Sequence, residues 1–491
     1  MTKDIFRKAS PEELGISSKD VLSYIQVLDE RRMHLHAILM ARGESVFAEG
    51  YYKPFHKDFL HRMYSVSKSF VAIAVGLAVT EGIFSLDDAI IDYFPEYKNE
   101  NTDVYYETCT VRDMLKMQSN VGTGVYWWGK FEDRIQAYYS QKSDKIPGGL
   151  FHYDSIGSFL LGCIIERLTG MDFLTYLKEK VLLAMGFSKE SYVLREPGGY
   201  AIGDSGVMCT ARDLLIFARL IMRKGEWNGK QYIDRKFMED AICLQVPNDM
   251  SGTHALYETG GYGYLIWKTH PDGFSLVGMG DQLAICDMKR DLCLVVLSDN
   301  QAEKCQRHIL FHEYYTHFLP KVDNLILPQN NAMEIELLNY LRNRVLISQY
   351  GEMHGATAST VFGRIYEKEI GEADIDGFVL YEDRILLKRG GAWHTLPYGM
   401  LKNIQTKFSF GERARADMMG VWEAGAYDCN VSAGWIRADT IAIMAQVTDT
   451  YFGELNLQIC FKDDTATLFV HRSGQYIFDG LGGFMIAKQK G

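Results

Sequence analysis

Two periods of apolar residues run along this chain, and the architecture changes where one gives way to the other. Residues 17–33 repeat with helical spacing after Ser17 or Ser18. The run His36–Ala41, a turn at Gly43-Glu44 and Val46–Ala48 leading to Gly50 read as a hairpin. A helix follows over Phe70–Val79. Apolar residues occur nearly all round it, which puts it in the middle of a domain, and Gly82 fits its C-terminal stop. Residues 85–200 are mostly helical patterns broken by loops, clearest at Val111–Met117 and at Ile156–Leu168, which ends at Gly170. Thr210–Met222 predicts a further helix ending near Gly225. Residues 262–299 return to strands, with Ala284–Met288 and Leu292–Leu297 joined by a Lys-Arg-Asp turn, and a helix-like stretch over 306–318 closes this part. Strands at both ends with helices between them predict an antiparallel sheet covered by helices, with a helical subdomain inserted at about 85–200.

Pro320–Asn331 reads as a linker, and beyond it the texture changes. After a helix around 333–346, short alternating segments recur with turn residues between them: Phe378–Tyr381, Arg384–Lys388, Thr440–Ala445 and Ala466–Val470. These predict a separate all-β domain over 330–491, a barrel or half-barrel, beside a first domain over 1–322. The chain shows no strong internal repeat.

Composition narrows the function. With 491 residues, two or three domains are expected, and 47% hydrophobic residues are ample for packed cores. A net charge of −11 argues against nucleic acid as a partner. No run is long and apolar enough to span a bilayer, so no membrane partner is expected. The N-terminal residues lack the apolar stretch of a signal peptide. Nine cysteines stand without CxxC or Cys/His spacing. The odd count fits a reducing cytoplasm better than a disulfide framework. Neither an HExxH nor an acidic calcium loop is present, so no metal or other cofactor is expected.

The densest chemical signal is Ser65-Val66-Ser67-Lys68, just ahead of the buried helix. Residues three apart at a helix start share one face. The serine meets unpaired backbone N–H groups and the positive end of the helix dipole, and the nearby amine can take its proton. By itself Ser-x-x-Lys is common, and an N-cap serine beside a solvated lysine is the ordinary reading. The segment Pro147–Gly157 adds Tyr153, in a Gly-rich approach to a helix. A phenol beside an ammonium has its ionised form favoured and can share the base role.

With these motifs the chain resembles the serine β-lactamase and penicillin-binding protein-like hydrolases. It is most similar to the branch of AmpC-type β-lactamases, DD-peptidases, family VIII esterases and D-amino-acid peptidases. Arg62–Phe70 resembles that family's first motif, and Glu81–Asp88 its usual sequel. Tyr153-Asp154-Ser155 followed by Leu160-Leu-Gly162 is similar to the second motif, normally Tyr-x-Asn. Leu183–Phe187 and Gly206–Asp213 are similar to further common stretches, and Gly278–Gln282 sits where the third motif belongs. The resemblance covers about residues 10–320. Some relatives carry an added C-terminal barrel, and residues 330–491 look like such a lipocalin-like appendage.

The resemblance implies an α+β fold of the β-lactamase/transpeptidase type and an acyl-enzyme on Ser65. Lys68 and Tyr153 would share the proton transfers. The backbone amides of Ser65 and Gln282 would form the oxyanion hole. Two departures narrow the substrate. Met279 stands where Lys or His usually begins the third motif, so a cation for a substrate carboxylate is missing. Ser155 replaces the Asn that usually bonds the lysine and the substrate amide. Both point away from β-lactams and D-Ala-D-Ala peptides, towards a small ester, amide or short peptide. Met279, Gly280, Asp281 and Ser155 become pocket candidates. Trp127 and Trp128, in a Gly-flanked loop, are core residues or a pocket wall. Asp281 reads equally as a turn residue or a polar contact in the cleft. Gly203-Asp-Ser-Gly206 imitates the nucleophile motif of trypsin-like proteases, but a helix and not a β-barrel strand follows, so Ser205 reads as a loop residue. The competing functions are β-lactamase or DD-peptidase activity, acyl transfer to an amine or alcohol, and a non-catalytic binding protein on the same scaffold. The β domain would shape the cleft entrance or mediate assembly into a homo-oligomer.

Overall fold

A computed structural model describes residues 5–100, 102–122, 133–248, 256–302, 305–322, 325–410, 415–417, 420–422, 425–474, 478 and 481–490. These residues form two compact units. The first holds the described residues of Met1–Ser298, Cys305–Arg344 and Ala416–Trp422; the second holds those of Asp299–Lys304, Val345–Arg415 and Glu423–Gly491.

The first unit is built on a seven-stranded sheet. In chain order its elements begin with β1 (Arg7–Lys8), α1 (Ser18–Glu30), β2 (Leu35–Arg42), β3 (Ser45–Tyr51), β4 (His61–Arg62) and α2 (Val66–Thr80). The middle contributes α3 (Arg134–Tyr139), α4 (Ile156–Thr169), β5 (Tyr192–Val193), β6 (Val207–Cys209) and α5 (Ala211–Met222). The chain then returns through β7 (Trp267–His270), β8 (Gly273–Gly278), β9 (Gln282–Asp287), β10 (Leu292–Ser298) and α6 (Gln306–His312), and α7 (Asn331–Arg342) completes the unit. The strand order is β1-β3-β2-β10-β9-β8-β7, antiparallel except for β1 beside β3. A small antiparallel sheet, β4-β6-β5, ties the segment before Ser65 to the loop after Ala201.

Helix α2 is central because every residue from Val66 to Ala78 is buried. Phe70 stacks on Phe217 of α5, with ring centroids 3.6 Å apart and planes 9° from parallel. At Gly76 a Cβ would come within 2.3 Å of the Phe237 ring, so only glycine admits that helix contact. Gly82, with φ of 71°, ends the segment in the left-handed conformation its sequence predicts. Helix α5 covers β10, β9 and β2 with its apolar face.

The helix expected over 333–346 runs over Asn331–Arg342 and lies with the first unit, not with the β domain expected from 330 onward. Leu341 fills the space beside Gly50 of β3, and Tyr340 Oη and Arg344 Nη1 both donate to Asp29 of α1. These partners lie some 300 residues away in sequence, which no local pattern reports.

The second unit is a sheet of eleven strands in a nearly closed, barrel-like arrangement, running from Ala392–Pro397 through Ile365–Gly371 and Gly483–Gln489 to Tyr427–Arg437. The second part of the strand Phe452–Lys462 alternates as a half-buried surface must: Leu455, Leu457, Ile459 and Phe461 are buried, with more exposed residues between them. Trp435 closes the packing against Gly355, whose Cβ would overlap the indole.

Candidate active site

Ser65 caps the start of α2 in a right-handed conformation, and Tyr64 before it is held at φ of 45°. That sharp entry is fixed on one side by the Met63 amide, which donates to the Val207 carbonyl at 2.8 Å. On the other side β8 crowds the same segment. At Gly278 a Cβ would come within 2.5 Å of the Met63 carbonyl oxygen, so the strand approaches the turn only because that residue is glycine.

Lys68 lies one turn along α2, and its side chain is buried at 1% exposure. Its Nζ donates to Ser65 Oγ at 3.0 Å and to the Asp204 carbonyl at 2.9 Å. The ring of Tyr153 faces the same ammonium, 5.2 Å from Nζ to its centroid. Tyr153 in turn stacks on Trp267 of β7, with centroids 5.4 Å apart. The structure therefore brings Ser65, Lys68 and Tyr153 together, from a helix start and a loop separated by more than eighty residues.

The third-motif turn connects β8 to β9. Gly280 and Asp281 both have left-handed backbones, with φ of 73° and 70°. Gln282 opens β9 with a wholly buried side chain, whose Nε2 donates to the Met279 and Ser298 carbonyls at 2.9 and 2.7 Å. Ser298 Oγ donates to the carbonyls of Gly280 and Asp281. Asp281 is buried and accepts from Arg307 Nε at 2.6 Å, so it serves the turn. Arg307 also donates to Glu258 Oε1 at 2.8 Å and to the Gly278 carbonyl at 3.1 Å. Burial works against the guanidinium charge, but Asp281 and Glu258 more than reverse this and raise its pKa above the usual range. Met279 stands half-exposed at the turn.

Ser155 is placed differently from a lining residue. It caps α4 with no exposed surface, and its Oγ makes no hydrogen bond among the described residues. Its neighbour Asp154 organises the helix start instead, accepting from the Ile156 amide at 2.7 Å and from Ser119 Oγ at 2.9 Å. Trp127 and Trp128 lie outside the described residues. Among the described residues no group of three or more His, Cys, Asp or Glu is arranged to hold a metal ion.

Four residues of this neighbourhood carry no sequence signal of their own: Arg134, Asp204, Trp267 and Arg307. Asp204 belongs to the Gly203–Gly206 stretch, whose serine is not a nucleophile candidate. The stretch reaches the site through its backbone, since Asp204 gives its carbonyl to Lys68 and Ser205 gives its own to Arg62 Nε at 3.0 Å.

A helix-borne Ser-x-x-Lys beside a mostly antiparallel sheet and an inserted helical region defines a β-lactamase-like type of serine hydrolase. Residues 25–308 match the Beta-lactamase family, and the chain belongs to it. It is 25% identical over 285 residues to the 6-aminohexanoate-dimer hydrolase of Paenarthrobacter ureafaciens, covering 53% of this chain and 72% of that protein. It is 27% identical over 206 residues to esterase EstB of Burkholderia gladioli, covering 36% and 52%. An N-acetylmuramyl-L-alanine amidase of Bacillus subtilis is 22% identical over 45% of this chain and 64% of its own length. The chain thus spans about half to two-thirds of the latter two. Among solved structures, one provisionally assigned as a 6-aminohexanoate-dimer hydrolase from Bacillus anthracis superposes with a TM-score of 0.53 at 20% identity, covering 67% of this chain and 89% of its own, which shows the shared fold. The family and its esterase and amidase members make this chain a serine hydrolase. No helix among the described residues is long and apolar enough to cross a membrane.

Proposed function

We propose that the protein hydrolyses a small ester, amide or short peptide through an acyl-enzyme on Ser65. The observation that carries this reading is the buried Lys68 Nζ, 3.0 Å from Ser65 Oγ, with the Tyr153 ring beside it. Ser65 Oγ attacks the carbonyl carbon while its proton passes to the Lys68–Tyr153 pair. The tetrahedral oxyanion sits between the amides of Ser65 and Gln282, each worth about 3–4 kcal/mol in the transition state. Collapse expels the alcohol or amine, which takes the proton from the pair. A water then attacks the acyl-enzyme with Tyr153 as its base and releases the acid and free Ser65.

The substrate class follows from charge. A carboxylate at the third-motif turn would meet the Met279 thioether, and the nearby Arg307 is engaged by Asp281 and Glu258. This supports acyl groups without the carboxylate of penicillins or D-Ala-D-Ala peptides. The nine free thiols support a reducing, cytoplasmic setting.

The test is intact-protein mass after a fluorophosphonate and, separately, a penicillin, comparing the native chain with Ser65→Ala. A Ser65-dependent fluorophosphonate adduct is expected, with neither a penicillin adduct nor hydrolysed penicillin. Penicillin turnover would move the reading to a β-lactamase. An unlabelled native chain would leave a binding protein.

A further inference from the structure

The loop that gives Lys68 its second acceptor is anchored in an unusual way. Asp204 presents its carbonyl to Lys68 Nζ, while its carboxylate forms a two-pronged ion pair with Arg134 of α3, at 3.2 and 3.3 Å. The side chains are 2% and 1% exposed. The Arg134 guanidinium also lies over the ring of Phe159, 4.0 Å from its centroid. Phe159 sits in the first turn of α4, the helix that begins just after Tyr153. Arg134 Nε makes no hydrogen bond among the described residues.

A buried ion pair is weak as a source of stability, because desolvating two charges offsets what their contact returns; its attested use is in fixing a geometry. Here the geometry is that of residues 203–207. A Cβ at Gly203 would come within 2.9 Å of the Ser158 carbonyl and 3.0 Å of Val71, so the loop lies tight on α2 and α4. The Val207 amide donates to Ser67 Oγ at 3.0 Å. Consecutive carbonyls, of Asp204 and Ser205, receive hydrogen bonds from Lys68 and Arg62, the cations three residues either side of Ser65.

We propose that Arg134 and Asp204 are positioning residues for Lys68: their ion pair fixes the carbonyl that holds one amine N–H and so aims the amine lone pair at Ser65 Oγ. A neutral amine has two N–H groups and one lone pair at tetrahedral angles. The ammonium donates to both Ser65 Oγ and the Asp204 carbonyl; once it has given up a proton, the bond kept to Asp204 restrains rotation about Cε–Nζ, so the position facing Ser65 Oγ can hold the lone pair that takes the Oγ–H proton. The inference rests on the reading of Lys68 as the base of Ser65.

The test separates aiming from stability. The double variant Arg134→Met/Asp204→Asn removes both charges while keeping similar volume. Its urea midpoint should stay near the native one. Its rate of Ser65 labelling by a fluorophosphonate, and kcat for p-nitrophenyl acetate, should fall roughly 10- to 100-fold, the scale of a misplaced catalytic group. KM should move by no more than about twofold. Native labelling and kcat in the folded double variant would overturn the proposal. Should that variant not fold, Arg134→Lys keeps the charge but offers a single point of contact. A roughly tenfold loss of labelling in the folded Arg134→Lys protein supports the proposal, and a native rate overturns it. Failure of the native chain to label at Ser65 would instead refute the base assignment on which the inference stands.

Discussion

Replacing Arg307 by Met tests how the third-motif turn is held. The guanidinium bonds two carboxylates and one carbonyl at 2.6, 2.8 and 3.1 Å, and its two acidic partners have side chains only 5% and 3% exposed. Breaking a buried pair by deleting one partner costs about 3–5 kcal/mol, mostly for the charge left behind. Arg307 itself is 25% exposed, so water reaches its position and the loss is smaller, about 2–4 kcal/mol. Met preserves the packed stem, so the change reports charge and hydrogen bonds more than volume. With a urea m-value of about 3 kcal/mol/M, the midpoint of the unit carrying Ser65 should fall by roughly 1 M. Adding Glu258→Gln removes one of the facing carboxylates and should restore about half of that shift. With the Gln282 amide in the oxyanion hole as proposed, Ser65 labelling should slow as well. A midpoint shift below about 0.3 M would refute the reasoning, since it would mean that these carboxylates are adequately solvated without the guanidinium.

Two further outcomes follow from the same region. Gly278→Ala places a methyl group 2.5 Å from the Met63 carbonyl, so either β8 or the Ser65 turn must yield; stability should drop by about 1–3 kcal/mol and fluorophosphonate labelling by at least roughly tenfold, whereas native labelling would show that the strand can retreat freely. The buried pair His36 Nδ1···His61 Nε2, 2.8 Å apart, governs acid stability. Burial lowers His61 to about 3, against a bond to the Arg62 carbonyl, and burial with the charges of His61 and His34 lowers His36 well below its usual value. The unfolded chain therefore binds protons first as pH falls through about 6.5, so this stability is complete above that pH and is lost towards about 3. His61 alone should make the protein about 2 kcal/mol less stable at pH 5.0 than at pH 7.5. Urea midpoints at the two pH values, compared with His61→Gln, check this; an equal acid loss in the variant would refute it.

How much was legible in the sequence depended on the range of the interaction. Helix α2 is legible because its apolar residues run all round it, and Ser65 and Lys68 are legible because their spacing is that of one helical turn. Tyr153 had no local signal beyond its Gly-rich approach, and only its likeness to a family motif drew it out. Ser155 read as a lining position from that same likeness, yet capping α4 puts it out of contact with solvent. The anchoring groups were not legible at all. Arg134 and Asp204 are 70 residues apart, and Arg307 and Glu258 are 49 apart, with no periodicity to relate them. Asp204 was hidden by its setting, because Gly203-Asp-Ser-Gly206 drew notice to the serine hydroxyl while the chemistry ran through a main-chain carbonyl.

The charge around the turn bears on the substrate class proposed above. A substrate carboxylate entering a partly desolvated cleft needs a charged donor to replace its water, and such a hydrogen bond is worth about 1.5–3 kcal/mol. Met279 offers none. Arg307 is close in the fold, but its Nε and one terminal nitrogen are taken by Asp281 and Glu258 and its other terminal nitrogen by the Gly278 carbonyl. Turning it towards a ligand would strand two buried acids, which by the estimate for Arg307→Met costs as much as the new contact returns. Arg307, as it is held, therefore does not supply a cation for a substrate carboxylate. Arg307 holds the turn that Gln282 follows, and Tyr153, whose ring faces the Lys68 ammonium, stacks on Trp267. This supports the proposed preference for an acyl group without a carboxylate.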